Sequence, residues 1–314
     1  MRLFAAEKFV ILISSTLFVL DGLLLAYKGV SIDVIGYAVA LAIGFFSLGL
    51  GQFYRSYREN EGIALATTAC GLYIIFTLVA SVFNYLLLPN HSPMIDPLLI
   101  RMDAALGYSW TKFVIWTAQW PWLGNVFRAV YISSMAQLIL VILILGFTGK
   151  RDDLHRFLLT GVLGGIFTIC TWAFFPSSGA SGWEVLPASA NGALPIMVNS
   201  DYGMELNRLA RDGVTYISPQ NVLGLIGFPS FHTVMACLSV WYMARFKWVF
   251  PIFLVINLLM LPSVLVQGGH HLSDVLGGLA VFAIATVLAR RILAQSSLAT
   301  VSSARHTVSA SLPH

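Results

Sequence analysis

Apolar residues along this chain fall into long uninterrupted runs, without the alternation of a half-buried strand. The runs cover 9–27, 34–52, 63–88, 125–147, 156–175, 228–246, 248–267 and 271–293. A bilayer core about 30 Å thick needs roughly 20 helical residues to cross it, and each run reaches that order of length. Hydrocarbon offers no partner to a backbone amide, so such runs take the helical form. The pattern predicts an all-α integral membrane protein with about eight transmembrane helices. The first run follows Arg2 and Lys8 and is not followed by a clear small-residue cleavage site, so it reads as an uncleaved signal anchor.

Two connecting segments are too long or too polar to be simple links. Residues 89–124 contain short apolar stretches broken by proline and rich in tryptophan, which suits a helix lying in the membrane interface. Residues 176–227 carry Gly, Ser, Asn and Asp, with a short amphipathic stretch near Tyr202–Arg211; loops of this length in compact domains serve as lids or binding loops. The tail 295–314, rich in Ser and Ala, is expected to be disordered.

Composition agrees with a bilayer as solvent: 58% of residues are hydrophobic and 10% charged, against about 25% charged in ordinary globular chains. The net charge of +4 does not signal nucleic acid, because the basic residues are scattered between apolar runs and form no stripe. They report orientation instead. With the N-terminus inside, Lys150, Arg151, Arg156, Arg245, Lys247 and Arg290 fall on the cytoplasmic side, whereas Lys28, Arg101, Lys112, Arg128, Arg208 and Arg211 are left outside. Both termini should then be cytoplasmic, as in a bacterial inner-membrane protein whose working face is periplasmic. Cys70, Cys170 and Cys237 lie within apolar runs, where no disulfide is expected.

Ionisable residues at membrane depth are costly, so those that occur need a reason. In GFPSFHTVMA, Pro229 and Ser230 open a helix with His232 in its first turn, and the amides of such a start attract anions. In VQGGHHLSDVLGG, His270 and Asp274 are four apart, which places them on one helix face. An aspartate holding one imidazole nitrogen leaves the other free to attack. Gly268, Gly269, Gly277 and Gly278 allow close backbone approach. Antiparallel packing of the sixth and seventh spans would bring His232 and His270 to the same membrane face. His271, three residues from Asp274, competes with His270 for the nucleophile's place. A zinc site built from His232, His270 or His271, and Asp274 is a minor alternative that no HExxH pattern supports.

The two motifs resemble the type 2 phosphatidate phosphatase superfamily of membrane lipid phosphatases and phosphotransferases. Pro229, Ser230, Phe231 and His232 match its second motif, Pro-Ser-x-His; Ser263, His270 and Asp274 match its third, although Val264 stands where that motif has arginine. The first motif, Lys and six residues before Arg-Pro, is absent. FPSFHT, GGHHLSD and DPLLIRMDAALGYSW are similar to the branch containing inositol phosphorylceramide synthases. The resemblance covers roughly residues 63–293. It implies a six-helix catalytic membrane domain over 61–294, preceded by two accessory helices in 1–60.

The resemblance further implies that His270 attacks phosphorus to form a phosphohistidine, that Asp274 orients it, and that His232 serves as acid and then base. It implies no cofactor and no metal. The substrate would be a lipid phosphate, and the acceptor water or an alcohol. Ser230 is a candidate phosphate ligand. Because the transferring group needs its oxygen charge stabilised, Arg211 is the first candidate for the missing cation, followed by Lys112 and Arg128. Each has a plainer reading: His270 with Asp274 as a structural staple, Arg211 as a loop cation paired to Asp212, Lys112 and Arg128 as interface anchors. Asp21 in the first span and the pair Gly161 and Gly165 read as a hydrated acid and a helix-packing motif. A lipid transporter that keeps the fold without the chemistry is the rival from another class.

Overall fold

The computed structural model describes residues 3–310, with side chains as far as Ser296. Among the described residues it is an all-α membrane protein. Seven helices are long and apolar enough to cross a bilayer: α1 (Ala5–Lys28), α2 (Val34–Phe53), α3 (Glu61–Leu86), α6 (Pro121–Phe147), α7 (Arg151–Phe174), α11 (Phe250–Gln267) and the first part of α12 (Leu272–Ala310). Between them lie α4 (Asp96–Ala105), α5 (Trp110–Ala118), α8 (Ala188–Ala193), α9 (Ser200–Asp212) and α10 (Phe231–Met243).

Local chemistry sets these boundaries. Asp33, Asn60, Ser109, Asn199 and Ser230 each accept a hydrogen bond from an amide at the start of the following helix. Pro97, Pro121 and Pro251 occupy first-turn positions of α4, α6 and α11, where their missing N–H costs nothing.

Two sequence expectations are corrected. The sixth span, expected over 228–246, is the 13-residue α10. That is about 20 Å of helix, shortened at one end by the Pro229–Ser230 entry and at the other by the turn around Arg245. The single interfacial helix expected in 89–124 is two, α4 and α5, separated by Gly107 at a φ of +76°. The tail expected to be disordered, 295–314, lies largely outside the residues described with side chains, which end at Ser296.

The core joins α3, α6, α7, α10, α11 and α12 around Leu65, Leu138, Phe157, Leu238, Phe253 and Val281. Gly161 and Gly165 of α7 make room there for the rings of Tyr73 and Phe76, as a packing motif should. α1 and α2 stand outside this group and pack on α3. A side chain at Gly71 would strike the backbone of Gly44 and Leu48, so α2 lies directly against α3. Buried Glu7 accepts two hydrogen bonds from Arg55, at 2.7 and 2.9 Å, and holds the start of α1 to the end of α2. At the opposite end of the hairpin, Ser31–Ile32 (β1) pairs in parallel with Tyr216–Ile217 (β2) of the long loop.

Candidate active site

Two helix starts meet at one end of the bundle. Ser230 caps α10 by accepting the amide of Thr233, and its own amide donates to the carbonyl of Asp274 at 3.0 Å. A side chain at Gly278 would hit the carbonyl of Ser230 and the side chain of Thr233, so only glycine lets α12 approach the α10 cap so closely. His232 follows in the first turn of α10. Its ring stacks on Tyr131 of α6 with centroids 4.2 Å apart and planes 20° from parallel.

His270 lies before α12, so its relation to Asp274 differs from the shared helix face that the four-residue spacing suggests. Gly269, at a φ of +61°, turns the chain, and α12 begins only at Leu272. The turn still brings His270 Nδ1 to 3.0 Å from Asp274 Oδ2, with both groups buried. Facing a carboxylate, Nδ1 is the protonated nitrogen and Nε2 carries the free lone pair. The His232 and His270 rings are 6.4 Å apart between centroids, with planes at 66°.

His271 points the other way. It is wholly buried, with Nε2 3.3 Å from Asp96 Oδ1 and Nδ1 in an ion pair with Asp103 Oδ2 at 3.7 Å. Asp103 also accepts the amides of Leu272 and Ser273 at 2.8 and 2.9 Å and the Ser273 hydroxyl, so it caps the amino end of α12. Asp96 accepts the Ser177 hydroxyl at 2.8 Å. Burial works against a charge on His271, but the carboxylates of Asp103 and Asp96, with the field of Asp274, outweigh it and lift its pKa to about 10. Burial likewise opposes ionisation of Asp103, yet the pairing with His271 and the hydrogen bonds from Ser273 and Leu272 hold it below the usual carboxylate range.

These shifts have opposite consequences for stability. The unfolded imidazole titrates near 6.5, so the contribution of His271 is complete below that pH and is lost as pH rises toward 10; that of Asp103 is lost only in acid. Thermal unfolding of the purified protein should therefore show a midpoint that declines between pH 6.5 and 10. His271→Gln should flatten that decline; an unchanged slope in the variant would show that His271 is uncharged in the fold.

The sequence-derived phosphate ligands are not brought together. Arg211 is exposed and bonded to Asp212 at 2.8 Å. It lies eight positions, about 12 Å of helix, beyond Gly203, where α9 packs on Gly182. Lys112 and Arg128 are exposed on α5 and α6. Ser230 is fully buried as the α10 cap. Among the described residues, no Lys or Arg pairs with His232, His270, His271 or Asp274. Nor does any group of three His, Cys, Asp or Glu among them have an arrangement fit to hold a metal ion.

The family described as the PAP2 superfamily matches residues 97–288, well over half of the 314-residue chain. The chain belongs to the PAP2 superfamily. Both helix starts, with His232, His270 and Asp274, fall inside the PAP2 segment, whereas α1, α2 and α3 precede it. Members of the PAP2 superfamily are phosphatases, and with seven apolar helices this chain is a multi-pass membrane protein of the lipid-phosphatase type. No curated protein and no solved structure matches it.

Sequence reading missed Asp96 and Asp103 of this PAP2 chain as parts of the site. The signal was present: they are seven apart, hence on one face of α4, in a chain with only 14 acidic residues. It was overshadowed by the Pro and Trp content that marks the segment as interfacial.

Proposed function

We propose that this chain moves the phosphate of a lipid phosphate or phosphodiester through a covalent phosphohistidine on His270. The observation that carries this reading is the His270 Nδ1 contact with Asp274 at 3.0 Å, which leaves Nε2 free on the ring that faces His232.

In the first step Nε2 attacks phosphorus and the bond to the lipid oxygen breaks. His232 gives its proton to that leaving oxygen. In the second step water or an alcohol attacks the phosphohistidine, His232 takes the incoming proton, and the P–N bond breaks. Water completes a phosphatase. A polyol or lipid hydroxyl completes a head-group transferase of the phosphorylceramide-synthase kind, the branch that GGHHLSD resembles. Asp274 orients the imidazole and stabilises its positive charge as the new bond forms. The catalytic unit would be residues 61–294, with 1–60 as an accessory hairpin. Lys150, Arg151, Arg156 and Arg245 cluster at the opposite end of the helices, which supports an outer-face position for the histidines by the positive-inside bias.

Purified protein should be incubated with phosphate-labelled phosphatidate or prenyl phosphate, quenched in base, digested and sequenced by mass spectrometry, with and without an added polyol. The expected label sits on His270. Label on His271, or on no histidine while product forms, would overturn the mechanism. Free phosphate identifies hydrolysis and a new phosphodiester identifies transfer.

A further inference from the structure

We infer that Asp103 and Asp96, on the interfacial helix α4, are positioning residues for the nucleophile and act on it through His271. The inference rests on the proposed role of His270.

The geometry joins four pieces of chain that the fold could have left independent. Asp274 Oδ2 accepts two hydrogen bonds, one from His270 Nδ1 at 3.0 Å and one from the backbone amide of His271 at 2.8 Å. The His270 carboxylate partner is therefore held by the backbone of the neighbouring histidine. The ring of that histidine is clamped between Asp96, 3.3 Å from Nε2, and Asp103, 3.7 Å from Nδ1. Asp103 in turn fixes Leu272 and Ser273, the two residues between His271 and Asp274. Every residue from His270 to Asp274 thus has a hydrogen bond or ion pair that leads to Asp103, to Asp96 or to Asp274.

On the other side, Asp96 accepts the Ser177 hydroxyl and the Ser178 amide, at 2.8 and 3.4 Å, and Ser181 of the same loop donates its amide to the carbonyl of Gly269. Gly179 in that loop has a φ of +81°, and a side chain there would strike the same carbonyl. The turn that aims His270 is enclosed by α4 and by the Ser177–Gly182 loop.

Charge makes this more than a mechanical staple. Three buried carboxylates, Asp96, Asp103 and Asp274, surround His271, and the titratable side chains of His270, bonded to Asp274, and of Tyr108 also face them. A charged His271 beside Asp274 keeps the carboxylate pointed at His270 while offsetting part of the local negative charge. A neutral His271 keeps one N–H and so holds only one of Asp96 and Asp103, and the backbone amide that supports Asp274 is less firmly fixed. Both ring nitrogens of His271 are directed at α4, so its part is support and the attacking group is His270.

The test is a double-mutant cycle in the full-length protein, reading kcat, KM and the pH profile of phosphate release from a lipid phosphate. Asp103→Asn keeps the shape and removes the charge. It should lower kcat about 10- to 100-fold, the size of loss seen when partners that orient a metal-bound histidine are removed, with KM changed less than about threefold. The alkaline limb of kcat should move to lower pH, because His271 then gives up its proton more easily.

His271→Gln should cost a similar factor. The double variant should lie within about threefold of the worse single one, since both changes cut the same connection. Asp96→Asn, which touches His271 but caps no part of α12, supplies the same readouts if Asp103→Asn lowers the folded yield. Factors that multiply, or a folded Asp103→Asn enzyme with wild-type kcat and pH profile, would overturn the inference. If His270→Ala were itself active, the mechanism would fail instead, and the two failures are separable in one panel.

Discussion

His270→Ala should bring lipid-phosphate turnover down by about four to six orders of magnitude, to the level left by binding alone, because no second nucleophile can take its place. His271, the obvious substitute in sequence, is fully buried with its ring nitrogens turned to Asp96 and Asp103. The measurement is phosphate release or head-group exchange on phosphatidate, with the variant compared at matched folded concentration. A residual rate above about one percent of wild type would remove His270 from the mechanism and return it to the structural-staple reading. The transporter reading makes the same demand from the other direction, since it expects the variant to keep its function.

Asp274→Asn should be the next most damaging change, at about 10⁴-fold in kcat, the loss that follows when an orienting aspartate becomes an amide in an established triad. The amide occupies the same space, so the fold should remain. However, it can offer N–H to His270 Nδ1 where the wild type offers only lone pairs, which favours the tautomer with the proton on Nε2 and leaves no lone pair to attack phosphorus. The His271 amide donates to the same Oδ2 at 2.8 Å, so the rotamer that keeps this bond leaves the amide oxygen on Nδ1 and loses only the negative charge that stabilises the imidazolium. The flipped rotamer imposes the wrong tautomer; either one slows attack. Trapping experiments should then show slower appearance of phosphohistidine with little change in substrate affinity. Normal trapping with slowed release would instead assign Asp274 to the second step.

The sequence carried the helical architecture because long apolar runs have one solution in hydrocarbon, and the paired motifs carried the convergence of His232, His270 and Asp274 because they lie at chain positions whose helix ends must meet. What escaped was tertiary. Asp96 and Asp103 share a helix face, but nothing local shows that the face is turned inward toward His271. Arg211 drew attention as a cation in the right loop, and a one-residue step to Asp212 satisfies it on the surface. Ser230, expected to bind an anion, is buried, and its hydroxyl oxygen accepts the Thr233 amide as capping serines do. The four-residue spacing of His270 and Asp274 led to their contact by way of helix geometry, although a left-handed glycine and a turn are what produce it.

The pairing of Ser31–Ile32 with Tyr216–Ile217 gives the first two helices a part in the architecture that their position before the family segment conceals. Fastened at one end by Glu7 and Arg55 and at the other by this short ladder, the α1–α2 hairpin is a brace across the molecule. The strand it grips leads directly into the stretch that delivers Pro229 and Ser230. Trimming the chain to its family-matched residues would therefore take away more than α1, α2 and the core helix α3: it would untie the approach to His232.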